Sequence, residues 1–324
     1  MRVIPARLRF FKRLNLKRRL NGRADPGPPA PFVVGATRSG TTMLRLMLDA
    51  HPDVAIPSET HFIHKLVKTC ERWRVTPDML ADVIVEHKRW GDFHLDPDEL
   101  RRRFRSIEPL NMADALRTFY TLYAEREGKP RWGDKTPGYV RYMRRIHWIL
   151  PEARFLHLIR DGRDVAVSVL PMNWGPESVR EAAELWVERV TIGREQGSLV
   201  PYTEVRFEDL VLDTEPTLRR VCEFLELPWD PVMLDYHERA EERLREKARD
   251  LPRHREGRPP QPAEARMASH AMAKEPPNPE RIGRWRTEMS HEDRAAYEEV
   301  AGGLLAELGY EVGEPAERTA AGVR

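Results

Sequence analysis

The run Phe32-Val33-Val34-Gly35-Ala36-Thr37-Arg38-Ser39-Gly40-Thr41-Thr42 passes from a short apolar strand, through a turn bounded by two glycines, into the helical sequence Met43 to Leu48. Such a turn lets the backbone curl with its N–H groups inward, and the helix behind it adds the positive end of its dipole, so the combination cradles an anion. The nucleotide-hydrolysing form of this loop puts a lysine after the second glycine to reach the β- and γ-phosphates. Here Thr41 occupies that place, and Arg38 supplies the cation from inside the loop. The exchange points away from ATP or GTP hydrolysis.

Downstream, apolar residues at three- and four-residue spacing predict helices over Glu59 to Trp73, Pro77 to Trp90, Pro97 to Arg105 and Met112 to Glu127. This helical insert separates the loop strand from a second strand, Arg154 to Ile159, which follows a helix over Tyr139 to Leu150. The strand runs directly into Arg160-Asp161-Gly162-Arg163 and a helix from about Asp164. A long helix over Glu177 to Glu195 then leads to a third strand, Pro201 to Arg206. Alternating strands and helices predict an α/β domain with a mostly parallel sheet covered by helices. The domain is expected over residues 31–310. Residues 238–280 are expected as a loop or lid, charged and helix-like over Glu238 to Asp250 and dense in proline, arginine and small residues from Leu251 to Pro279; a helix covers Glu292 to Leu308, and 311–324 make a polar tail.

A chain of 324 residues can bury a large core, and its formal charge of +2 despite 33% charged residues leaves no global field for nucleic acid. Cys70 and Cys222 lack CxxC spacing, which suits a reducing, cytoplasmic setting and argues against a zinc site. No stretch approaches the roughly 18 to 20 apolar residues of a membrane span, so a soluble chain is expected. Residues 1–23 carry nine Arg and Lys, no acid, and interspersed leucines and phenylalanines. That composition suits a basic arm, hinged by the proline-rich linker Asp25 to Pro31; a membrane-surface or anionic-partner helix is the alternative.

Five short blocks together resemble the sulfotransferases that use 3′-phosphoadenosine 5′-phosphosulfate (PAPS), most closely the bacterial members and more distantly the protein-tyrosine sulfotransferases. They are Arg38 to Val54, Pro57-Ser58-Glu59-Thr60, Trp132-Gly133-Asp134-Lys135-Thr136-Pro137, Phe155 to Ser168, and Arg281-Ile282-Gly283-Arg284-Trp285. The resemblance implies a P-loop-like sulfotransferase fold in which Arg38, Ser39, Gly40, Thr41 and Thr42 hold the 5′-phosphosulfate. It places Arg160 and Ser168 on the 3′-phosphate and Arg284 in a segment closing over the nucleotide, with Ser269 as a weaker match to a sulfate-supporting serine. It makes Glu59 the base that deprotonates the acceptor and Lys135 the catalytic lysine; His61 and His64 rank behind Glu59. Arg163 serves the same phosphate or the fold.

The expected reaction is in-line displacement, with Lys135 and Arg38 neutralising charge on the departing adenosine 3′,5′-bisphosphate and with no metal required. Two rivals stand beside it: a divergent P-loop kinase using Asp161 for magnesium, and a catalytically silent nucleotide- or polyanion-binding protein. The acceptor hydroxyl belongs to a small molecule, glycan or peptide, with Phe62, Trp73, Trp90 and the loop after Glu238 lining its pocket. Trp186, His157, Glu208 and Asp209 are assigned to core, caps and ion pairs.

Overall fold

Four parallel strands in the order β4–β1–β5–β6 form the central sheet of the computed structural model, which describes residues 26–251, 260–268 and 271–313. β1 (Ala30–Gly35) enters the anion-binding turn and continues as α1 (Thr41–Ala50); every residue of this strand is buried, as a strand covered on both faces requires. The two-residue β2 (Val54–Ala55) follows. The helical insert then comprises α2 (Ile63–Arg72), α3 (Pro77–Val85), α4 (Pro97–Arg105) and α5 (Met112–Arg126). Thr76, Asp96 and Asn111 cap the last three through side-chain oxygens that accept backbone N–H groups. Phe62, Phe93 and Phe119 pack edge to face between these helices, at centroid separations of 5.0 to 6.1 Å.

After the insert come β3 (Arg131–Trp132), parallel to β2, and β4 (Asp134–Lys135), parallel to β1 in the register Val33 to Lys135. A 3₁₀ turn over Pro137–Tyr142 leads into α6 (Met143–Ile149), so the helix expected from Tyr139 starts later and tighter. β5 (Ala153–Ile159) lies between β1 and β6 (Tyr202–Arg206), separated in sequence from β6 by α7 (Gly162–Val169) and α8 (Val179–Gly197). The remaining helices are α9 (Phe207–Leu212), α10 (Thr214–Phe224), α11 (Tyr236–Leu244), α12 (Ala263–Ala268), α13 (Trp285–Glu288) and α14 (His291–Glu307). Because the strands run parallel, the turns after β1, β4, β5 and β6 gather at one carboxyl edge, where open α/β sheets collect ligands.

The charged start of residues 238–280 is helical, in line with its helix-like sequence: α11 packs on α1, and Glu246 just beyond it bonds Arg45 of α1 at 2.9 Å while accepting from Tyr123 of α5. Further on, α12 interrupts the stretch expected as a loop or lid. Asp134 and Lys135 form a strand of two residues, which carries too little periodicity to be seen in sequence. The expected lining of an acceptor pocket needs correction: Phe62 is fully buried in the aromatic core, and Trp73 is 62% exposed at the far end of α2. The arm 1–23, the tail beyond 313 and Ser269 lie outside the described residues. No helix among the described residues is long and apolar enough to cross a membrane.

Candidate active site

Within the turn after β1, Arg38 (φ 72°) and Gly40 (φ 95°) both adopt left-handed backbone, curling the chain between Gly35 and Thr41. Gly40 precedes α1 and offers it no side-chain cap, so the positive end of the helix dipole faces the turn. A Cβ on Gly40 would lie 2.5 Å from Cδ2 of Phe207. That ring supports the Arg160 guanidinium 4.4 Å above its centroid. Gly40→Ala is therefore expected to combine backbone strain with a displaced Phe207, lowering stability by about 1–3 kcal/mol in urea denaturation and weakening nucleotide binding in calorimetry.

Four arginines converge on this turn. Arg38 Nε donates to Ser168 Oγ at 2.9 Å, so the serine expected beside Arg160 is held by the loop arginine instead. Arg160, only 5% exposed, donates to the carbonyls of Arg38 (3.3 Å) and Arg281 (2.6 Å) and faces Asp164 at 3.5 Å. Asp164 also accepts from the backbone N–H groups of Gly283 and Trp285 at 2.9 and 3.0 Å, which pins the segment carrying Arg281 and Arg284 over the loop. Arg284 itself pairs with Glu288. Burial, then the charges of Arg160, Arg284 and Arg281, depress the pKa of Arg38. Cations that destabilise one another in a desolvated corner are relieved by an anion between them. Ser39 Oγ and Arg160 Nε, both buried, have no hydrogen-bond partner among the described residues.

Arg163 and Asp161 are taken up by the fold. Asp161 caps α7 and binds Arg163 at 2.8 Å; Arg163 also binds Glu298 and lies 3.6 Å over Trp285. Trp186 is core, and its Nε1 donates to the Arg160 carbonyl at 3.1 Å.

Across β1 lies a second cluster. Lys135, fully buried at the end of β4, reaches Glu59 Oε1 at 2.9 Å; His61 and Arg89 reach Oε2 at 2.8 and 3.2 Å. Glu59 and Thr60 stand before α2 in a non-helical segment, so Glu59 is no first-turn helix acid. Burial alone would raise the Glu59 pKa, but Lys135 and Arg89, with the His61 bond, hold it well below the ordinary carboxylate range. Burial lowers the pKa of Lys135 despite Glu59, and Arg45 and Arg89 push the same way. Lys247, 2% exposed, feels the charges of both Lys135 and Glu59. His64 is exposed and turned aside, stacked on Tyr142 with rings 6.1 Å apart and 12° from parallel.

A buried polar network locks this pair together. Thr60 donates its N–H to Thr136 Oγ1 (3.0 Å) and its hydroxyl to Asp134 Oδ2 (2.7 Å), which also accepts from Tyr120 (2.9 Å). The residue after Glu59 is thus bonded to the residues on either side of Lys135. Burial raises the Asp134 pKa from 3.8 to about 6. Since the folded state then binds more protons between those values, this carboxylate's contribution to stability falls as pH rises through that window. Asp134→Asn removes the dependence. Its unfolding free energy relative to the unsubstituted protein should climb between about pH 4 and about pH 6 and level off above, as urea denaturation at several pH values would show.

Arg89, Lys247, Arg281 and Asp134 are site residues that sequence reading overlooked. Asp134 and Arg281 stood inside the quoted blocks, adjacent to or near assigned residues, whereas Arg89 and Lys247 lie in charged runs with no local mark.

The profile of the sulfotransferase family matches residues 29–231, more than half of the chain, and takes in the site except for Lys247, Arg281 and Arg284. The chain belongs to that family. Among curated sulfotransferases it is 28% identical to protein-tyrosine sulfotransferase A of Caenorhabditis elegans over 67% of this chain and 55% of that protein. It is 27% identical to protein-tyrosine sulfotransferase of Drosophila melanogaster over 65% and 40%. The chain thus spans about half the length, or less, of these relatives. The sulfotransferase domain of the Synechococcus PCC 7002 olefin synthase shares the fold, with a TM-score of 0.59 at 20% identity, covering 90% of this chain and 99% of that one. The fold is therefore the α/β, P-loop-like fold of sulfotransferases, with its helical insert.

Proposed function

We propose that this protein transfers a sulfuryl group from PAPS to a hydroxyl acceptor by in-line displacement. The observation that carries the reading is the pair of charged clusters flanking β1 at one sheet edge: four arginines around the anion-binding turn, and Lys135 with Glu59 beside it. The donor fits the first cluster. Ser39 Oγ and Arg160 Nε present unused donors, and α1 adds its uncapped N-terminus, a set suited to several anionic oxygens.

In this reading Arg38, Ser39, Gly40, Thr41 and Thr42 hold the phosphosulfate. Arg160 and Ser168, with Arg284 at the rim, hold the 3′-phosphate. The acceptor oxygen attacks sulfur from the Glu59 side, its proton leaves toward the Glu59–His61 pair, and the bridging S–O bond breaks with its electron pair going to the nucleotide. Lys135 and Arg38 stabilise the charge that develops there. The protein-tyrosine sulfotransferases among its relatives favour a peptide hydroxyl among the acceptors, ahead of a glycan or small molecule. A kinase reading loses its magnesium carboxylate, because Asp161 is engaged by Arg163.

Calorimetry separates these readings. Adenosine 3′,5′-bisphosphate should bind at least about tenfold more tightly than ADP, since the 3′-phosphate engages charge-assisted donors absent for ADP. Equal binding would overturn the donor assignment, and bisphosphate binding without sulfate transfer to any acceptor would leave a silent binding protein.

A further inference from the structure

Both oxygens of Glu59 are spent. Oε1 accepts from the Lys135 ammonium, and Oε2 accepts from His61 Nε2 while facing the Arg89 guanidinium. A carboxylate satisfied by three cationic or N–H partners is a weak base, because a proton arriving from the acceptor must displace one of them. Accessibility points the same way: the side chain of Lys135 is 0% exposed, that of Glu59 17% and that of His61 37%. An acceptor entering from solvent meets the imidazole before the carboxylate.

His61 is also held in an uncommon conformation. Its φ of 58° lies in the left-handed region, where histidine is tolerated better than most residues but still at a cost that surrounding structure must offset. That backbone twist is what turns the side chain back onto Glu59, only two residues earlier. With Nε2–H donated to a carboxylate, the neutral ring presents Nδ1 as its acceptor, the division of roles by which a carboxylate orients a general base.

We propose that His61 is the immediate proton acceptor in sulfuryl transfer and that Glu59 is its positioning residue, fixing ring orientation and tautomer. The inference rests on the sulfotransferase reading above. In balanced form, the acceptor O–H loses its proton to Nδ1 of His61 as its oxygen forms a bond to sulfur. The S–O bond to the adenylate breaks, adenosine 3′,5′-bisphosphate leaves with the electron pair, and the imidazolium returns its proton to solvent.

Burial, with the charges of Arg89 and Lys135, opposes the imidazolium and outweighs Glu59, which favours it, while His87 alongside is itself neutral, its pKa pushed down to about 3; the His61 ring is left neutral near pH 7. Its role is therefore open to a pH test. Donor turnover, followed as labelled sulfate transferred to a tyrosine peptide or released to water, should fall at least about 100-fold in His61→Ala, while bisphosphate binding by calorimetry stays within about twofold. Added imidazole should restore part of the rate. His61→Asn, which suits the left-handed backbone, should be equally slow and keeps the test valid should the alanine variant misfold.

In Glu59→Gln the acid limb of the rate profile should persist and move to lower pH, because the charge supporting the imidazolium is gone. Nitrogen NMR of the unsubstituted protein should find His61 protonated at Nε2 and bare at Nδ1. Full turnover in both His61 variants, an acid limb absent from the unsubstituted enzyme, or the opposite tautomer would each overturn the inference. Absence of bisphosphate binding and turnover in the unsubstituted protein would instead sink the sulfotransferase reading, with the tautomer measurement still deciding the orientation of His61.

Discussion

Replacing Lys135 by alanine should reduce the turnover number by about 100- to 1,000-fold while leaving affinity for adenosine 3′,5′-bisphosphate nearly unchanged. The asymmetry follows from placement. Lys135 is fully buried at the end of β4 and paired with Glu59, across β1 from the arginines around the anion-binding turn. In the proposed reaction its charge bears on what develops during transfer more than on the resting nucleotide, and removing one preorganised donor of this kind costs about 2.7–4 kcal/mol of barrier. Arginine should not restore the loss, because a larger, planar guanidinium has to replace an ammonium that is fully buried and already surrounded by other positive charges. Since burial depresses the Lys135 pKa, activity should also fade on the alkaline side earlier than an ordinary lysine would dictate. Single-turnover kinetics with labelled donor would check both. A variant that loses affinity and keeps its rate would assign Lys135 to binding.

Arg160→Ala should weaken binding of adenosine 3′,5′-bisphosphate by about 100-fold, a loss of about 2.7 kcal/mol, and should abolish the preference for that ligand over adenosine 5′-phosphate. Arg160 lies over Phe207, bonds the carbonyls of Arg38 and Arg281, and keeps Nε without a partner among the described residues. It holds the loop and the C-terminal segment to each other, so the substitution also costs stability, and calorimetry should be read beside a denaturation curve. Ser168→Ala is the milder companion. It removes the acceptor of the Arg38 hydrogen bond without removing a charge.

The anion-binding turn was legible in sequence because its chemistry is local: two glycines, Arg38 and the start of a helix lie within a dozen residues. Arg160 was legible for a similar reason, as the end of an apolar strand. The partners of these residues were not. Ser168 was expected beside Arg160, two turns into the next helix, but across the sheet edge Arg38 competes for the same hydroxyl. Glu59 and Lys135 were each visible as charged residues in turn-like blocks. That they meet depends on the buried bonds of Thr60 to Asp134 and Thr136, which no spacing rule encodes. Arg89 reaches Glu59 from the insert, and Lys247 feels its charge from beyond the end of α11, more than 150 residues away from Arg89 in sequence. The left-handed backbone at His61 belongs to no spacing pattern that the sequence displays.

Asp164 fastens the backbone of Gly283 and Trp285, so Arg281 and Arg284 are held over the anion-binding turn from well beyond residue 231, where the family match stops. A recombinant fragment trimmed to the matched borders would keep the turn and the strands yet forfeit half of its guanidinium crown, together with Lys247. Such a truncate would be an attractive expression target and a poor enzyme preparation, and any inactivity found in it would be an artefact of where the gene was cut.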